Sequence, residues 1–103
     1  MLFLVDTDID FYRLGERREE VFQAEWTAVE AQWKKGVMLR LWRKANGRGI
    51  IGVWDVPDGD ALRAELTALP LFVYFSDIRV TPLLAHPQYP DHAIATQIHQ
   101  DEG

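Results

Sequence analysis

A small α+β domain of βαββαβ order is predicted by this sequence, on three observations. Four segments carry the β-forming residues or the two-residue alternation of strands, and two others place apolar side chains three and four positions apart as helices do. An Asn-Gly pair joins the middle two strand segments.

Met1 to Ile9 is rich in β-formers and ends in alternating Asp6, Thr7, Asp8 and Ile9, the pattern of a strand leaving its core. From about Glu16 to Lys35, Phe22, Trp26, Val29 and Trp33 fall on one helical stripe, and Gly36 closes the helix. Val37 to Ala45 alternates again, with Val37, Leu39 and Leu41 on one face and Met38, Arg40 and Trp42 on the other. Asn46-Gly47 then turns the chain, so Ile50 to Val56 returns antiparallel as the second arm of a hairpin. Pro57 and Asp58 open the second helix, with Asp58 as N-cap and Leu62, Leu66 and Leu69 as a short apolar stripe that Pro70 stops. Leu71 to Leu83 supplies the fourth strand, with Phe72 and Tyr74 opposing Val73 and Phe75, before Pro82 limits further pairing. Residues 1–84 are thus expected to form the domain. Residues 85–103 hold Pro87, Pro90, three histidines and an acidic end, and are expected to be a loose terminus or an intersubunit arm.

Composition narrows the function. With 103 residues, 48% of them hydrophobic, the chain suffices for one core and not two. Its 16 acidic against 11 basic residues give a net charge of −5, which lacks the footprint of a nucleic-acid binder. The absence of cysteine removes disulfides and thiolate chemistry and suits a reducing compartment, so a cytoplasmic location is expected. The opening Met1-Leu2-Phe3-Leu4-Val5 is followed directly by Asp6, Asp8 and Asp10, so it reads as a strand and not as a signal or membrane segment.

A hairpin between two helices, flanked by single strands, is the split βαβ arrangement of ferredoxin-like folds, with both helices on one face of an antiparallel sheet. The other face is expected to be too apolar for water, because Met38 and Trp42 point away from Leu39 and Leu41, and Phe72 with Tyr74 away from Val73 with Phe75. Two sheets packed face to face as a dimeric barrel would cover it, leaving a cavity between the sheets or between sheet and helix.

Met1-Leu2-Phe3, Leu41-Trp42-Arg43, Val53-Trp54-Asp55-Val56, Asp60-Ala61-Leu62, Leu69-Pro70-Leu71-Phe72 with Tyr74, Val80-Thr81-Pro82-Leu83 and His86-Pro87 together resemble the muconolactone Δ-isomerase family in order and spacing. The likeness runs from Met1 to Pro87. It implies a ferredoxin-like homodimeric barrel, often assembled as a ring of dimers, that acts without metal or cofactor. The reaction it implies moves a double bond within an unsaturated lactone bearing a carboxylate arm, in aromatic-compound breakdown.

Such a reaction needs a base near the carbon acid, an acid to return the proton, and a group to hold the developing enolate. Glu25 is the candidate base: it lies about 60° from Phe22 and about 40° from Val29 on the helical wheel, at the edge of the apolar face. Partial burial there would raise its pKa, and the resemblance places a family glutamate at this position. A solvated glutamate with its stem on the core is the plainer alternative. Arg40, mid-strand among apolar neighbours, is the candidate anchor for a substrate carboxylate, or else half of an intersubunit ion pair. Arg43 at the strand end reads as solvent-exposed. Trp42, Trp54, Phe72 and Tyr74 are candidate walls of a ligand pocket, unless they are simply core. His86, His92 and His99 fit no usual metal-ligand spacing, so no metal is assigned.

The departures from the family pattern concern the substrate. Arg40 stands where the family usually has histidine, Trp26 where it usually has lysine, and Arg48-Gly49-Ile50 where it usually has Tyr-Ala-Asn. A polar proton-shuttling site exchanged for a bulkier, more apolar one implies a larger or less polar substrate. The leading expectation is a cofactor-independent isomerase. A dimeric-barrel cyclase or cofactor-free monooxygenase of secondary metabolism, and a non-catalytic small-molecule binder, are the alternatives.

Overall fold

Every second side chain of the first strand is buried, and that alternation divides the molecule into two layers. Phe3, Val5, Thr7 and Ile9 face the helices, while Leu2, Leu4, Asp6 and Asp8 face outward. The computed structural model describes residues 1–88. Its elements are β1 (Leu2–Ile9), α1 (Phe11–Leu14), α2 (Arg18–Lys34), β2 (Met38–Arg43), β3 (Ile50–Asp55), α3 (Gly59–Thr67) and β4 (Phe75–Leu83), with 3-10 turns at Gly15–Arg17 and Phe72–Tyr74. The strands form one antiparallel sheet in the order β2-β3-β1-β4. Phe3, Val5, Met38 and Trp54 of the sheet cluster with Val29 of α2 and Leu62 and Leu66 of α3, so both long helices lie on the same face. This is the α+β ferredoxin-like arrangement that the sequence predicts.

The helix α2 does not bury its aromatic stripe. Its inward positions are Val21, Glu25, Val29 and Gln32, whereas Trp26 and Trp33 are 61% and 59% exposed. The stripe read from the sequence is rotated by about one residue, about 100°. Two inward positions, Glu25 and Gln32, are polar, which weakens the apolar periodicity of the true inner face; Gln32 is satisfied across the interior. Gln32 Nε2 donates to the Glu65 carbonyl at 2.9 Å, and Trp54 Nε1 donates to Gln32 Oε1 at 3.1 Å.

Strand β2 departs from simple alternation in the same way. Met38 pairs with Trp54 but Arg40 pairs with Val53, so Leu39 is a bulge that reverses which face each later residue takes. Met38 and Leu41 therefore face the helices with Trp54 and Gly52, and Arg40 and Trp42 face outward with Val53 and Ile51. The expected grouping of Met38, Arg40 and Trp42 on one face is corrected by that single extra residue.

The hairpin closes through Gly47, whose φ of 76° suits glycine, and Lys44 N donates to the Gly49 carbonyl at 2.8 Å. Its end lies directly on β1: a Cβ at Gly49 would sit 1.9 Å from the Thr7 carbonyl oxygen, and Ile9 N donates to the Arg48 carbonyl at 2.7 Å. After α3, capped by Asp58 accepting from Ala61 N at 2.8 Å, the chain does not enter a strand at Leu71. Phe72 N donates to Leu69 O and Tyr74 N to Leu71 O, a 3-10 turn that delays β4 to Phe75. Phe72 and Tyr74 consequently do not alternate across a sheet, and the expected outer-face pattern there is replaced by a turn.

The outer face of the sheet is apolar at one end and ionic at the other. Leu2, Leu4, Ile51 and Val53 are half-buried, and Trp42 is 53% exposed beside them. Beyond Ile51, Lys44 donates to Asp6 at 3.0 Å and to Asp8, and Arg79 pairs with Asp6 at 3.3 Å and with Asp77. Among the described residues no helix is long and apolar enough to cross a membrane. His86 Nδ1 accepts from Gln88 N at 3.1 Å, while Pro90, His92 and His99 of the expected arm lie outside the described residues.

Candidate active site

The reversal in β2 leaves a cleft of about 1110 Å³ between α1 and α2 on one side and the β2–β3 hairpin on the other. Its floor is formed by the buried Ile9, Glu25, Val29 and Leu71. Phe22, Trp26 and Leu41 border it as apolar walls, Trp42 of the edge strand also borders it, and Arg18 and Arg43 stand at its rim. Of the two cavity positions that the sequence leaves open, this is the one between sheet and helix.

Glu25 is the centre of the buried face of α2, and not its edge. Its side chain is carried to the point where the chain leaves α3, and Oε1 accepts from Leu71 N at 2.9 Å. Oε2 is buried and has no hydrogen-bond partner among the described residues. Burial pushes the carboxyl pKa above the usual glutamate value, with the Leu71 N–H opposing that shift only in part. A buried polar oxygen without a partner costs a fold about 1–3 kcal/mol, so its presence at a cleft floor points to chemistry. A carboxylate held at one oxygen and unpartnered at the other, on a residue that borders a cleft, has the chemistry to take a proton from a bound molecule and give it back.

The other residues singled out in the sequence are dispersed. Trp26 and Trp42 border the cleft with Glu25. Arg40 does not: the Leu39 bulge places it on the outer face, exposed, where it donates to the Leu39 carbonyl at 2.9 Å and meets no carboxylate among the described residues. Trp54 is 2% exposed, its ring lying over Gly52, where an added Cβ would come 2.3 Å from it. Phe72 packs on the larger core cluster, and Tyr74 on the smaller one with Arg13 over its ring. None of these last three lines the cleft.

Sequence reasoning missed Arg18 and the Leu71 amide, and it left Arg43 to solvent. Arg18 lies seven positions before Glu25, two helical turns away on the same side of α2, and that spacing was the available signal. The Leu71 amide had no signal, since its partner depends on how the α3–β4 connection meets α2.

The family model described as muconolactone delta-isomerase matches residues 1–89. A muconolactone delta-isomerase of Pseudomonas aeruginosa is 35% identical over 71 residues, covering 69% of this chain and 68% of that protein. The crystal structure of a muconolactone isomerase superposes with a TM-score of 0.76 at 30% identity, covering 88% of this chain and 96% of the other. A 5-chloro-2-hydroxyhydroquinone dehydrochlorinase from Burkholderia phenoliruptrix AC1100, in complex with 2,5-dihydroxybenzoquinone, shares the fold alone, at 14% identity and a TM-score of 0.69 over 86% of this chain and 99% of the other.

Proposed function

The chain belongs to the muconolactone delta-isomerase family, and from that premise we propose that it moves a carbon–carbon double bond in an unsaturated lactone or related small molecule by proton transfer at Glu25. An isomerase-like or related small-molecule enzyme is the class that its relatives support. The observation that carries the finer reading is Glu25, at the floor of the cleft, whose buried Oε2 has no partner among the described residues.

The step needs only a proton acceptor that can return what it takes. Ionised Glu25 removes a proton from the carbon next to the unsaturated system, leaving the electron pair delocalised toward the lactone carbonyl as a dienolate. The carboxyl then delivers its proton to the carbon at the other end, so the double bond shifts and no atom is gained or lost. Burial makes the neutral carboxyl a better partner for the dienolate than it would be in water, and the Leu71 amide fixes the carboxylate plane. The apolar walls of Phe22, Trp26 and Leu41 suit an unsaturated ring, and they keep competing water from the carbanion.

Turnover of muconolactone in deuterated water, followed by proton NMR, tests this. Native protein is expected to catalyse the shift, and Glu25→Gln to lose about 10²- to 10⁴-fold in kcat, the usual share of a positioned acid–base group. Equal turnover by both proteins removes Glu25 from the reaction, and dioxygen uptake in place of isomerisation replaces the reading with an oxygenase.

A further inference from the structure

We propose that Arg18 is the residue that recognises an anionic arm of the substrate, so that the cleft selects small carboxylates over their neutral counterparts. This rests on the isomerase reading for the identity of the molecule, though not for the existence of the anion site.

Three features of Arg18 carry it. The guanidinium lies over two rings at once, 4.9 Å from the Phe11 centroid and 5.7 Å from that of Phe22. It has no ion pair and no hydrogen bond among the described residues, although Glu16 and Glu19 border the same cleft, so its N–H donors are free for a ligand. It shares the cleft with Glu25, seven residues on along α2 and so about 10.5 Å further along the helix axis. Arg17, its neighbour, is by contrast paired to Glu20 at 3.6 Å.

An arginine stacked between rings has already lost much of its conformational freedom, which lowers the entropic cost of binding a planar anion through two parallel N–H bonds. Arg43 is the competing cation. It stands at the same rim without a ring contact or hydrogen bond in the described chain, and nothing there fixes its direction. The arrangement sorts a substrate by its two ends: the acidic C–H toward Glu25 on the floor, the carboxylate toward Arg18 at the mouth. It also assigns the anchoring role expected of Arg40 to a side chain that borders the cleft.

Calorimetric titration with the saturated lactone acetate, which has no double bond to move, and with its methyl ester tests the inference without requiring turnover. Native protein is expected to bind the acid about 10- to 100-fold more tightly than the ester, a preference that weakens as salt is raised. Arg18→Met, which keeps an apolar stem over the rings, is expected to abolish the preference, and Arg18→Lys to restore part of it. In turnover, Arg18→Met should raise KM for the acid and leave kcat nearly unchanged. Equal binding of acid and ester by native protein, or loss of the preference in Arg43→Met but not in Arg18→Met, overturns the assignment and leaves the isomerase reading standing. Turnover unaffected by Glu25→Gln, with an acid preference that still depends on Arg18, overturns that reading and leaves the anchor. Native protein that binds neither compound refutes both.

Discussion

Ionising Glu25 costs the folded chain more than it costs the unfolded one, and the difference has a pH signature. Burial raises the folded pKa above the ordinary glutamate value, so between the two the folded state holds more protons and its stability falls as pH rises. Below the ordinary value the carboxyl is neutral in both states and the penalty vanishes. Glu25→Gln keeps an oxygen to accept from Leu71 but cannot ionise. Its stability relative to native protein, measured by urea denaturation, is therefore expected to improve from pH 4 to pH 8, and a difference independent of pH would contradict a buried ionising carboxyl here. Activity runs the opposite way, because the base must be ionised. The native kcat/KM is expected to rise with pH and level off above the raised pKa, with the limb absent from the residual activity of Glu25→Gln. The glutamate was legible in the sequence as a carboxylate near an apolar stripe. Its place at the centre of the buried face was not, because half-buried Phe22 and exposed Trp26, stacked at 6.3 Å, are more conspicuous than the inward Val21.

Secondary-structure elements here are held in register by close backbone approaches as much as by side-chain packing. Gly49 brings the hairpin end onto β1 so tightly that any Cβ meets the Thr7 carbonyl, a backbone atom that cannot rotate away. Gly49→Ala is expected to destabilise the fold by about 1–3 kcal/mol, the range for overpacking, and to distort the hairpin side of the cleft, since Gly49 and Ile50 border it. Denaturant melting and loss of turnover measured on the same sample check this, and a variant as stable as native protein would show that the approach is relaxed in solution. Gly52 works differently: its missing side chain admits the Trp54 ring, whose N–H then reaches Gln32 across the interior. Trp54→Phe leaves the buried Gln32 oxygen without its donor and is expected to cost about 1–3 kcal/mol by urea melting, with kcat little changed because Trp54 does not border the cleft. The strands, the turn and the caps could be read from composition and period. The Leu39 bulge could not, because one extra residue leaves a plausible alternation on either side of it, and it alone moves Arg40 out of the site and Leu41 in.

At the scale of the whole molecule, the sheet's outer face is where the chain is least complete by itself. Leu2, Leu4, Ile51 and Val53 form a continuous apolar band across β1 and β3, with Trp42 exposed at its side and Leu83 opposite Leu2. The sequence implied a face too apolar for water; the ion cluster of Lys44 and Arg79 with Asp6, Asp8 and Asp77 confines the apolar part to one end. Such a band fits a second copy, and we propose that two chains pack sheet to sheet there, each keeping its own cleft on the helix side. Leu4 sits in the central strand, opposite Val53 on one side and Thr81 on the other, and faces away from the core. Leu4→Glu therefore places a charge in the proposed interface without touching the buried cluster of Phe3, Val5 and Trp54. Light scattering at micromolar concentration is expected to give at least twice the chain mass for native protein and a single chain for Leu4→Glu, whose circular dichroism should remain that of a folded α+β domain. A native protein that scatters as one chain would mean that the half-buried band is tolerated in water. The clefts would then have to work without a partner, as their position between α2 and the hairpin allows.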